Sequence, residues 1–367
     1  MALFRLQDQT GGGCSMRRWL GWATLAVLLL AFLAGHLLLV GCGIQVGPGS
    51  LQPQPTPAPT LEPSSVFSST VHYRFVQPRA YIRDACQFLS ERWDPRRSAP
   101  GTVVVPVMFH SVEQRDDYQP GDTFIPAQEL TRTVEVAREL GFQTITAAQL
   151  ADFLEHNAPI PRLSMIWIVD DRRPDTLEHY FLPIARANHW TVTVGWPIGN
   201  TDKREGMWQR MEDMNATGLL DVQGHGYEHR YAEPDTPEEV LRRELFDPIA
   251  ILEQHFGHKP IAFVWPGGTF TPRAAELARE AGYRLAFSAF SRAPLLYNWI
   301  PLGDQEAEVA DPLMVLPRFW GRPGLAEHLQ RAAEIADAAA AQARAQYAKE
   351  AAYYRTMCSG ELPAPLK

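Results

Sequence analysis

From residue 102 onward, short apolar runs alternate with stretches of helical periodicity. The runs at 103–109 (VVVPVMF), 143–147, 163–169 (LSMIWIV), 190–195, 219–223, 261–265 (IAFVW), 284–288 and 314–318 have the length of buried strands. Helical patterns at 127–140, 176–188, 204–216, 237–256 and 273–281 fill the gaps. Such regular alternation predicts β/α units around a parallel sheet, and there are too many units for a sandwich. Thr236-Pro237-Glu238-Glu239 predicts a helix start with Thr236 as N-cap and Pro237 at the first helical position. Thr271-Pro272 opens another helix, and Gly257 and Gly282 stand where left-handed C-terminal caps belong. After Gly324 an alanine-rich stretch with few breakers predicts one long helix.

The pattern differs before this alternation begins. Arg17 and Arg18 precede an apolar run at 19–41 in which His36 is the only ionisable side chain. That run is long enough to span a bilayer, with the arginines on the cytoplasmic side. It ends in Leu39-Val40-Gly41-Cys42, which resembles the lipobox of bacterial lipoproteins. A signal anchor and a cleaved signal peptide with lipid on Cys42 are both open, and either expects a membrane-anchored protein of the bacterial cell envelope, its main domain outside the cytoplasm. The expected organisation is a short cytoplasmic or signal n-region at 1–18, the apolar segment at 19–41 and a proline-rich linker at 43–65. A helical pre-domain segment at 66–100, the main domain at 101–322 and a C-terminal helix and tail at 323–367 follow. Of the four cysteines, Cys14 and Cys42 belong to the N-terminal region, which leaves Cys86 and Cys358 either to pair in an oxidising compartment or to stand as two free thiols. A net charge of -8 without an extended basic surface argues against a nucleic-acid partner.

Candidate chemistry sits at the ends of the apolar runs. Asp170-Asp171 directly follows 163–169, and two carboxylates held together oppose each other's ionisation until a cation intervenes. An ordinary surface turn is the alternative. His225-Gly226-Tyr227-Glu228-His229 carries two imidazoles at a spacing that can share one ion, though the spacing alone is a weak signal. His110 ends the run 103–109. In a parallel β/α ring these strand ends meet on one face, and one carboxylate with two imidazoles suits a catalytic zinc site, with cobalt or nickel as alternatives.

Together these pieces resemble the polysaccharide deacetylase family of NodB-type carbohydrate esterases, and in particular its branch acting on exported poly-N-acetylglucosamine. The resemblance covers about residues 101–320 and is carried by VPVMFHSV, VDDRRPD, GHGYEHR, FVWPGG, AGYRLAFSA and VLPRF, in that order. It implies an α/β fold of the distorted (β/α)₇ barrel type, here with an N-terminal membrane segment and a long C-terminal helix. It also implies Asp170 as general base, His110 as general acid, and Asp171, His225 and His229 as ligands of one divalent metal ion. Tyr227 and Pro266, Gly267 and Gly268 would shape the groove. Two positions depart from the family pattern: Arg172, followed by Arg173, stands where the family has glycine, and Val264 stands where many relatives have an arginine that steadies the base. Arg172 therefore reads either as a replacement guanidinium for Asp170 or as a solvent-facing side chain, with Arg318 as the rival donor. Trp265 and Trp320 each read either as a sugar platform or as core.

The implied activity is metal-dependent removal of N-acetyl groups from an extracytoplasmic, poly-N-acetylglucosamine-like polysaccharide. The implied partners are that N-acetylated polymer, the membrane, and synthase or export machinery. Two alternatives stand beside it: a weakly active or inactive polysaccharide-binding protein, suggested by Arg172, and a deacetylase of peptidoglycan or of O-acetyl esters.

Overall fold

The structure, a computed structural model, describes residues 76–201 and 203–365. Six parallel strands form its centre: β1 (Val103–Phe109), β2 (Leu163–Asp170), β3 (Val192–Trp196), β4 (Leu220–Gly224), β5 (Ala262–Val264) and β6 (Leu285–Phe287). They lie side by side in chain order, with Val103 opposite Leu163 and Phe109 opposite Val169 in the β1–β2 pair. Strand β1 is buried along its whole length, and so is β2 apart from its first residue. Burial on both faces explains why these strands read as unbroken apolar runs. Their alternation survives in the packing: Val103, Val105, Val107, Met165, Trp167 and Val169 join one core layer, while Val104, Ile166 and Ile168 join the other.

Eight helices surround or extend this sheet: α1 (Ala85–Trp93), α2 (Ala127–Leu140), α3 (Ala147–His156), α4 (Leu182–Asn188), α5 (Met207–Asn215), α6 (Glu238–Phe256), α7 (Pro272–Ala281) and α8 (Leu325–Met357). Gly257 and Gly282 adopt left-handed C-caps, and the Thr271 side chain accepts from Ala274 N–H. Thr236 does not cap α6. Its hydroxyl instead donates to Tyr231 O at 3.1 Å and accepts from Glu233 N–H at 3.0 Å, so it shapes the loop that leads into the helix. Helix α3 was hidden by the apolar residues around it, although its capping box is legible: Thr146 accepts from Gln149 N–H, and the Gln149 side chain answers at Thr146 N–H.

The expected distorted (β/α)₇ barrel is corrected by the sheet, which is curled but open. Its path runs β6-β5-β4-β3-β2-β1 and then to an antiparallel Leu295–Leu296 pair on β1. The strand expected at 314–318 does not form: Pro312–Met314 is a 3₁₀ turn, Leu316 makes one isolated parallel bridge to Phe287, and only Phe319–Trp320 pairs with β1. Pro312 and Pro317 each lack the N–H a ladder needs, which breaks the run where closure would require it.

The expected membrane tether is also corrected. Among the described residues no helix is long and apolar enough to cross a membrane. The apolar segment 19–41, Cys42 and the linker lie outside the described residues, so the structure offers no support for anchoring, lipidation, a membrane partner or envelope placement, and none enters the functional reading.

Helix α8 packs along α2, β1 and α1. Its far end is tied down twice. Cys358, its C-cap, is disulfide-bonded to Cys86 of α1, with the Cα atoms 5.5 Å apart. One helical segment earlier, buried Glu350 accepts from Arg92 Nη1 at 3.0 Å and from Trp93 Nε1 at 2.7 Å. Replacing both cysteines (Cys86→Ser with Cys358→Ser) is expected to lower stability by about 2–4 kcal/mol, read as a lower urea midpoint. A wild-type midpoint would show that the bond does not staple α8.

Candidate active site

Parallel strands end on one side of a sheet, and the candidate residues gather just past those ends. His110 follows β1, Asp170 ends β2 with Asp171 next, His225 follows β4, and Trp265 follows β5. Arg318 comes from the irregular segment that spans the gap between β6 and β1.

Asp171, His225 and His229 form one cluster. The two Nε2 atoms are 3.1 Å apart, and Asp171 Oδ1 lies 3.5 Å from His225 Nε2 and 3.3 Å from His229 Nε2. A tetrahedral ion held at roughly 2.0–2.1 Å spaces its ligand atoms about 3.3 Å apart, so these separations fit such an ion. His225 Nδ1 is 2.7 Å from Val264 O, and donation to that carbonyl leaves Nε2 with its lone pair facing the cluster. The backbone contributes too, since Asp171 and His229 sit at φ 70° and φ 65°, left-handed conformations that aim each side chain out of its local run. Burial raises the Asp171 carboxyl, and the imidazoles of His225, His110 and His229, when protonated in the absence of an ion, outweigh it and pull the group well below the usual carboxylate range. Burial, followed by the neighbouring His225, pushes His229 down to about 4, which favours the neutral imidazole a metal requires.

Asp170 faces a different partner. Arg318 Nη1 donates to both its oxygens, at 2.8 and 2.9 Å, and Arg318 Nε donates to Ser288 O at 2.7 Å. Both residues are at most 2 % exposed. Of the two candidate donors it is thus Arg318 that meets Asp170, while Arg172 Nη1 donates to Pro197 O at 3.0 Å. The left-handed residue of this turn is Asp171 and not Arg172, so arginine in place of glycine forces no strained backbone. Val264 and Asp170 both lie against Gly195, and the guanidinium comes instead from Arg318 in the segment between β6 and β1.

His110 Nε2 stands 4.0 Å from Asp170 Oδ2, its ring stacked on Trp320 at 6.0 Å between centroids. Burial pushes His110 down, partly countered by Asp170 and Asp171. Trp320 is half-buried and donates to Ala289 O at 2.9 Å. Trp265 belongs to the core at 1 % exposure, with Nε1 on Met314 O at 2.9 Å, and offers no platform. After it, Pro266–Gly268 form a tight turn in which Gly267 lies beneath the Tyr231 ring and Gly268 approaches Ala289 too closely for any side chain. Tyr227 is covered by the Arg243 guanidinium, 4.5 Å from its ring centroid.

Two residues at this end escaped the sequence reading. Tyr231 is 48 % exposed, lies 6.0 Å from the His229 ring, and lines an open basin of roughly 540 Å³ with Glu233, Asp235, Thr236 and Pro237. Its only sequence signal was its position two residues past the second histidine. Glu244 of α6 is buried against the loop 225–230 and had no signal within its own helix. Glu228, between the histidines, turns outward to Arg230 and Arg243.

No curated protein matches the sequence. A solved deacetylase of Streptococcus pyogenes, PplD in complex with acetate, shares the fold at a TM-score of 0.52 and 15% identity, over 64% of this chain and 99% of that one. IcaB from Ammonifex degensii superposes at a TM-score of 0.50 and 21% identity, over 65% of this chain and 98% of its own. Residues 161–286, which include Asp170, Asp171, His225 and His229, match the polysaccharide deacetylase family pattern. The family match is confined to those residues, and it stands beside the shared fold and the Asp-His-His cluster.

Proposed function

We propose that this chain is a metal-dependent hydrolase that removes N-acetyl groups from a polysaccharide built of N-acetylglucosamine-like units. The observation that carries the reading is the division of labour between adjacent carboxylates: Asp171 faces two imidazole nitrogens, whereas Asp170 faces a guanidinium. One is arranged for a cation and the other for a proton.

Asp171, His225 and His229 would hold zinc, or cobalt or nickel in its place, and the bound ion supplies Lewis-acid polarisation of the acetyl carbonyl and of water. Asp170 accepts a proton from the attacking water as its oxygen adds to the acetyl carbon. Arg318, donating to both oxygens of Asp170, fixes its direction. His110 Nε2 delivers a proton to the sugar nitrogen as the carbon–nitrogen bond breaks. Each turnover balances when the proton taken up by Asp170 returns to His110; their 4.0 Å separation exceeds hydrogen-bond reach, so the return needs one bridging water. The products are acetate and a free amine.

An open basin beside His229, with Tyr231 exposed on it, suits a polymer lying across the site better than an enclosed small molecule. The Cys86–Cys358 bond fits work outside a reducing compartment. The inactive reading rested on Arg172, and its side chain is turned away from Asp170 towards Pro197.

Acetate release from β-1,4- and β-1,6-linked N-acetylglucosamine oligomers, with zinc or cobalt added, is the direct assay. Asp170→Asn is expected to lower kcat by about 10²–10⁴-fold while retaining metal, and His225→Ala to lose both metal and activity. Arg172→Gly is expected to leave acetate release intact. A folded, metal-loaded chain that releases no acetate from either oligomer would contradict the proposed substrate, and release from an acetyl ester instead would move the reaction to oxygen. Arg318→Met, which strands a buried carboxylate, is expected to cost about 3–5 kcal/mol in urea unfolding.

A further inference from the structure

The two histidines of the cluster are fixed by different means. His225 is aimed through its own ring, with Nδ1 on the Val264 carbonyl. Among the described residues, the His229 ring has a hydrogen-bond contact only at Nε2, the atom that faces the cluster. Its direction must therefore come from the backbone, and that backbone is held at φ 65°, a conformation with a cost for any residue bearing a Cβ.

The two amides that flank His229 meet one side chain. Glu244, 4 % exposed on α6, accepts from Glu228 N–H through Oε1 at 2.9 Å and from Arg230 N–H through Oε2 at 3.1 Å. The chain presses so closely on this carboxylate at Gly226, φ 87°, that a Cβ there would collide with Oε2. The charged groups on either side of the loop are otherwise engaged, since Glu228 pairs with Arg230 and Arg243 at the surface.

We infer that Glu244 is the positioning residue of the metal centre: by clamping both amides around His229 it holds that imidazole in register with His225 and Asp171. Glu244 touches neither metal nor substrate and acts only through His229. A charged acceptor on two backbone donors is stronger than a neutral one, and it offsets the strain stored at His229. Glutamine keeps the shape but turns an NH₂ towards one of the two amides.

The inference rests on the metal-site reading above and is tested by metal affinity rather than turnover. Zinc dissociation constants would be measured on the full chain by competition with a chromogenic chelator, for wild type, Glu244→Gln and Glu306→Gln. Glu306 is a comparable buried carboxylate, paired with Arg292 at 2.6 and 2.9 Å in a segment that contributes nothing to the cluster. Glu244→Gln is expected to weaken zinc binding about 10–100-fold, and Glu306→Gln to leave it unchanged while lowering the unfolding temperature. Glu244→Gln binding within about twofold of wild type, or equal weakening in both variants, would overturn the inference. A wild-type chain with no affinity for zinc or cobalt would overturn the metal reading itself, a separate result. Hydrogen exchange on the metal-free wild type needs no variant: the amides of Glu228 and Arg230 are expected to be protected, and exchange at unstructured-chain rates would also overturn the clamp.

Discussion

A guanidinium and a carboxylate, both removed from water, join the middle of the curled sheet to the segment that bridges its two edges. Arg318 and Asp170 carry almost no exposed surface, so each charge depends on the other and on the remaining hydrogen bonds, chiefly Arg318 Nε on Ser288 O. Desolvation of such a pair is offset only when the geometry is good, and loss of one member leaves the other uncompensated. Arg318 lies in an irregular stretch with one bridge to β6 at Leu316 and two paired residues on β1. The constraint that directs Asp170 is therefore the same one that docks this stretch into an otherwise open sheet. Backbone bonds from Leu316 and Arg318 to the neighbouring segment and the buried ion pair hold this stretch together.

The second constraint is how two adjacent carboxylates avoid each other. Asp170 completes β2 and keeps its extended course, pointing into the site towards Arg318. Asp171 breaks that course at φ 70°, which aspartate tolerates better than most residues, and turns towards the imidazoles. A single peptide unit thus separates a group with a fixed cationic partner from one that faces neutral nitrogens. The sharing of one short turn by both groups makes the motif compact and ties metal position to base position.

Much of this was legible in the chain. Strands β1 and β2 announce themselves as apolar runs because both faces are buried, and the left-handed caps at Gly257 and Gly282 follow from local sequence. The Asp-Asp and His-x-x-x-His spacings point to a shared site because parallel strands end on one side. What was not legible depended on distant partners. Nothing near Arg318 says that it, and not Arg172, meets Asp170, 148 residues away. Trp265 reads either as a platform or as core until Met314 O is seen to take its indole N–H. Thr236 has the sequence of an N-cap, yet its hydroxyl is claimed by the loop that carries Tyr231. The sheet stays open for a local reason, the two prolines at 312 and 317.

The central claim is that the strand ends assemble one carboxylate and two imidazoles into a single divalent-ion site. X-ray absorption at the zinc edge, on the full chain loaded with one equivalent of zinc, tests this most directly. The account predicts a shell of nitrogen and oxygen at roughly 2.0–2.2 Å, with outer-shell scattering from two imidazoles and no sulfur. A shell without imidazole scattering, or one containing sulfur, would contradict it.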